Sequence, residues 1–189
     1  PGPVTSARVS IKFPWPTSME QILTVVPAGA EFDGLELTWY WTNYEPQEDV
    51  RVTFVRPSLW EQITEARSAA LESPRSAEAH HRLASLYQRL APTVGLTTTL
   101  GAPFSAMAVA EWEAAKEAAK MSADGDLLCK VRGELAAFYR ERAYRPDGTV
   151  DVLYLQQLVE ELSGAYLDCQ ARDLEVVVWN GILGGYFTL

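Results

Sequence analysis

Apolar and polar residues alternate along the first third of the chain. Val9, Ile11 and Phe13 interleave with Arg8, Ser10 and Lys12, a period of two that predicts a half-buried strand ending at Pro14 and Pro16. A short apolar run over 22–26 is closed by Pro27 and Gly29. Next, Leu35, Leu37, Trp39 and Trp41 share one parity, and Glu36, Thr38, Tyr40 and Thr42 the other. Beyond the turn-forming Asn43-Tyr44-Glu45-Pro46, Val50, Val52 and Phe54 are expected to face inward against Arg51, Thr53 and Val55. The spacing predicts a hairpin between 35–43 and 50–56. Four strands with one apolar face need a cover, either a second sheet or the helices that follow. The Trp39-Tyr40-Trp41 cluster invites a sugar-stacking reading. The parity shared with Leu35 and Leu37 instead assigns both tryptophans to the core and leaves Tyr40 and Tyr44 facing outward.

From residue 58 the period changes to that of helices. Ser58 is the expected N-cap of a helix that ends at Ser73-Pro74, and Ser76 caps a second that runs to about Ala91. A third helix is predicted over 105–123, a fourth over 126–144 and a fifth over 151–171. The fifth carries two interleaved series, Val152/Val159/Tyr166 and Leu155/Leu162/Cys169, read together as one apolar stripe. The helical part is internally similar at an offset of 52. Trp60-Glu61 matches Trp112-Glu113, Ala66 matches Ala118, and Leu83-Ala84 matches Leu135-Ala136. Leu86 matches Phe138, and Tyr87 matches Tyr139. Such a repeat predicts helix pairs that bury one face on their neighbours.

These residues resemble the tetratricopeptide repeat family over about 60–171. Ala69 to Pro74 looks like the end of that family's second helix, and Ser76 to Tyr87 like its first, with a small residue after Leu83 and Tyr87 filling the groove. Lys130 to Tyr139 repeats the pattern. The chain departs from the family in its longer period and its small number of units. Together with the alternating strands of the front, the helical pattern predicts an α+β fold, with an antiparallel N-terminal sheet region (1–57) packed on a short array of about five helices (58–171). The resemblance implies binding of a protein or peptide rather than catalysis; the alternative is a helical spacer that holds another domain. The concave positions would be His81, Ser85 and Gln88, then Gly133, Ala137 and Arg140, with Glu78 and Lys130 at the rim.

Charge and chemistry narrow the function further. The 16 basic and 25 acidic residues give a net charge of −9, which disfavours a nucleic-acid partner because the basic residues do not cluster. No apolar run reaches the length of a membrane span. His80 and His81 are adjacent, so on a helix they point about 100° apart and chelate one ion poorly; no metal or other cofactor is expected. Glu160-Glu161 and Asp124/Asp126 are paired acids, but they are expected on polar helix faces or at a cap. Phosphate-binding and hydrolase motifs are absent.

The uncharged segment 92–103 carries Val94, Leu96 and Leu100 and is expected to lie against the sheet or a partner, with Leu96 a binding candidate. The run 174–179 followed by Asn180-Gly181 predicts a terminal hairpin that joins the sheet or forms a homodimer. Cys129 and Cys169 come to similar heights on adjacent helices, so either a disulfide or two buried thiols is expected. A start at Pro1 rather than Met suggests a piece of a larger protein, with a secreted or extracytoplasmic setting slightly favoured. The alternative reading is a domain that binds a small molecule or glycan between sheet and helices.

Overall fold

The computed structural model describes residues 4–44, 49–91, 104–144 and 148–169. Among these residues it shows an α+β arrangement of five strands followed by five helices. The strands are β1 (Val4–Lys12), β2 (Ile22–Val26), β3 (Glu31–Phe32), β4 (Glu36–Tyr44) and β5 (Arg51–Phe54). The helices are α1 (Pro57–Glu72), α2 (Ala77–Gln88), α3 (Phe104–Ser122), α4 (Gly125–Ala143) and α5 (Val152–Asp168). Two compact units emerge, one from Pro1–Glu65 with Leu86–Ser105, the other from Ala66–Ser85 with Ala106–Leu189. The 92–103 segment with Leu96, and the predicted terminal hairpin, lie outside the described residues.

In the first unit the strands form two antiparallel sheets, β1-β4-β3 and β2-β5. The expected hairpin between the fourth and fifth strands does not form. β4 pairs with β1 along its length, from Val4↔Tyr44 to Lys12↔Glu36, and β5 pairs instead with β2. The physical reason is the interior: Leu37 and Trp39 from the first sheet, with Phe13 just past the end of β1, share one apolar cluster with Ile22 and Val25 from the second. Each sheet covers the other's apolar face, which a single meander could not do. Burying side chains of this size stabilises by roughly 1.5–3 kcal/mol each.

The period-two reading fails at strand ends. Leu35 is 54% exposed because it belongs to the turn before β4. There Gly34 has φ +97°, and Asp33 Oδ1 accepts from the Leu35 and Glu36 amides at 2.9 and 2.7 Å. Those backbone hydrogen bonds hold the Asp33 carboxyl below its ordinary value. Around β5, Val55 is buried although expected outside, while Val50 and Phe54 are partly exposed. Phe54 is edge-on to Phe13 at 5.5 Å. β2 is buried on both faces, so its run does not alternate.

The helices start and stop for local reasons. α1 begins at Pro57 rather than after a Ser58 cap, because proline is pre-set for the first helical position and has no amide to leave unpaired. Ser76 does cap α2, its Oγ accepting from Ala79 N at 3.2 Å. α2 ends at Gln88, short of the expected Ala91. Asp124 and Asp151 cap α4 and α5, accepting from Leu127 N and Leu153 N. In the second unit α4 and α5 are antiparallel neighbours joined near a Tyr144↔Val150 bridge.

The α5 stripe divides. Leu155, Leu158, Leu162 and Ala165 are buried, whereas Val152 and Tyr166 are 60% and 51% exposed. The core-facing arc is thus narrower than the combined series. Among the described residues, no helix is long and apolar enough to cross a membrane.

Candidate functional site

The positions aligned by the internal repeat are used alike. Leu83, Ala84, Leu86 and Tyr87 on α2 are buried, and so are Leu135, Ala136, Phe138 and Tyr139 on α4. Ala66 and Ala118 are both fully buried. Trp112 is fully buried against Phe138, their rings 5.4 Å apart, whereas its counterpart Trp60 is only half-buried.

The proposed concave residues divide by chemistry. Gly133, Ala137 and Arg140 are exposed along α4, in line with Lys130. Their spacing of three, four and three residues keeps them on one helix face. His81 is engaged: its Nε2 lies 2.9 Å from Glu134 Oε2, and the Trp112 indole donates to the same oxygen at 3.1 Å. Burial alone would push the Glu134 carboxyl up. The His81 hydrogen bond and charge, the Trp112 donor and nearby Lys130 outweigh it, so Glu134 stays ionised below its ordinary pKa of 4.5.

Ser85 donates back to the His81 carbonyl at 2.9 Å, so its hydroxyl serves its own helix. Gln88 is half-buried near the end of α2. Tyr40, in the first unit, is 59% exposed, with the Arg8 guanidinium 5.4 Å from its ring centre. Trp39 is 1% exposed and donates its indole N–H to Pro27 O at 2.8 Å, which removes it from any sugar platform. Trp41 stacks on it at 6.3 Å.

His80 sits between acceptors, with Nδ1 2.6 Å from Glu111 Oε2 and Nε2 3.2 Å from the Pro74 carbonyl. The two histidines therefore bind α2 to α3 and to α4 separately. Among the described residues, no group of three His, Cys, Asp or Glu could hold a metal ion. Beside Glu78, a shallow cleft of about 340 Å³ opens between the end of α1 and the start of α2, lined by Ala66, Ala69, Glu72 and Arg82 among others.

Sequence reasoning missed an ion network inside the helices. Glu161, expected on a polar face, is buried, and only Glu160 is exposed. Glu161 accepts from Lys116 Nζ at 2.6 Å and from Arg132 NH1 at 2.9 Å. Arg132 also donates through Nε and NH2 to Asp168 Oδ2, at 3.0 and 2.6 Å. Gly164 makes room for it, since a Cβ there would lie 2.5 Å from the guanidinium carbon. Burial pulls the Lys116 ammonium down, but Glu113 and Glu161 more than offset that and hold it above its ordinary 10.5. Tyr139, desolvated and close to Glu113 and Glu161, is pushed up to about 12.

Cys129 and Cys169 are joined by a disulfide, with Cα atoms 5.7 Å apart. It ties the first turns of α4 to the end of α5. The acids that meet the histidines and the cations that meet Glu161 lie on other helices, and no spacing rule along the sequence would have found them. No family model matches the chain, and no curated protein or solved structure matches it either.

Proposed function

We propose that the helices of the second unit form a short tetratricopeptide-like module that binds a protein or peptide and performs no chemistry. The observation that carries this reading is the equal burial of the Leu-Ala-x-x-Tyr positions on α2 and α4. Helices that spend the same positions on packing turn the same positions outward. On α4 that outward face is a floor of two small residues, Gly133 and Ala137, between two cations, Lys130 and Arg140. Small side chains let an extended backbone approach, and the cations favour acidic side chains on the ligand.

The polar groups beside this face support a binding role over a catalytic one. His81 meets a carboxylate, and the Ser85 hydroxyl one turn on is given to its own helix rather than to the imidazole. A nucleophile–base pair needs the opposite arrangement.

The test is a binding screen of the full chain against acidic peptides, followed by the double charge reversal Lys130→Glu/Arg140→Glu. Both residues are exposed, so the fold should be unchanged by circular dichroism. Peptides that bind the parent chain should lose about tenfold or more in affinity. Binding untouched by the reversal would exclude this face, and failure of every peptide would remove the module reading.

A further inference from the structure

We propose that the Cys129–Cys169 disulfide is a reversible latch on the last turn of α5, and that its reduction by a dithiol releases Asp168 from Arg132. This goes beyond the binding role and is independent of it.

Three observations converge on that turn. The disulfide and the ion pair connect the same two places: Cys169 follows Asp168 directly, and Arg132 lies three residues after Cys129. Apolar burial stops before the turn is reached. Ala165 is the last buried residue of α5, and Tyr166 and Leu167 are 51% and 68% exposed. The covalent bond, the Asp168 ion pair and the helix's own hydrogen bonds, such as Cys169 N to Ala165 O at 2.9 Å, all act on this turn. Finally, a second anchor stands upstream. Glu161 keeps its bonds to Lys116 and Arg132 when Asp168 leaves, and Gly164, a poor helix former, lies between the two acids.

The step balances by thiol–disulfide exchange. The dithiol supplies two electrons and two protons, the Cys129–Cys169 bond breaks, each sulfur takes up a proton, and the dithiol closes to its own disulfide. Opening is then local, a low-energy separation of one turn from an otherwise intact helix pair.

Hydrogen exchange on the full chain, oxidised and then treated with dithiothreitol under native conditions, tests this. Peptides covering 165–169 should exchange roughly tenfold faster or more after reduction, while those covering 106–120 keep their protection. No change at 165–169, a bond that resists the dithiol, or equal acceleration throughout the unit would each overturn the latch. A second measurement separates it from a passive staple. Asp168→Asn should lower the thermal midpoint of the oxidised chain and leave that of the reduced chain unmoved. The same shift in both states would mean that Asp168 never leaves Arg132.

Discussion

Among the described residues, the interior of the strand sandwich is aromatic and free of charge, whereas the helical interior is rich in alanine and carries ions. Among the described residues of the first unit, the buried polar ones are Thr17, Gln21, Thr24 and Thr38, all neutral, beside Phe13 and Trp39. In the second they are Lys116, Arg132 and Glu161, beside Ala108, Ala115, Ala118 and Ala119. The difference follows from shape. Large rings interlock and fix their own registry, as Phe13 does edge-on to Phe32 and Phe54. Smooth alanine faces let helices come close but say little about where along their length they should meet. Ion pairs are directional, and one carboxylate between two cations from different helices sets that position, at the desolvation cost buried charges carry.

Removing Glu161 should break this contrast most severely. Glu161→Ala leaves Lys116 and Arg132 buried without their shared acid and should destabilise the second unit by about 3–5 kcal/mol in urea melts. A triple replacement of Lys116, Arg132 and Glu161 by apolar residues of similar size should recover most of that loss. If helix registry truly depends on the ions, the recovered protein will melt less cooperatively.

Alkali comes next. Tyr139 and Lys116 both titrate higher in the folded chain than unfolded. Their contribution is therefore complete below about pH 10 and is lost as pH rises towards the folded values. A Tyr139 shift from 10.0 to about 12 corresponds to a loss on the order of 2 kcal/mol. Melts between pH 9 and pH 12, expected to be level and then to decline, check it, and Tyr139→Phe should flatten the decline.

The smallest effect is expected at Gly164. Alanine there gains about 1 kcal/mol in helix propensity but pushes on the Arg132 guanidinium, an overpacking cost of about 1–3 kcal/mol. A net loss of about 1 kcal/mol should appear for Gly164→Ala and turn into a gain in the Arg132→Met background.

Much of the fold was legible because burial leaves a periodic trace. Leu37 and Trp39 were placed inside by parity, and Ser76 was identified as a cap by its chemistry. The pairing of strands was not legible, since alternation says which side of a strand is apolar but not which sheet receives it. β3, only two residues long, has no period to detect. At the candidate site, the exposed residues of α4 could be placed by counting along the helix. Glu161 could not, because a charge beside a charge reads as a wet surface until the cations from 29 and 45 residues away arrive. His81 was visible as a residue but not as half of a pair, for the same reason.

The adjacent histidines have a consequence for how α2 is seated. Leaving the axis about 100° apart, they reach acids on two different neighbours, Glu111 on one side and Glu134 on the other. A roll of α2 about its own axis draws both imidazoles away from these acids, so the two contacts key the helix to a single orientation. One residue inserted between His81 and Leu83 would turn both keys by about 100° against the buried Leu83–Tyr87 face and out of their slots at once.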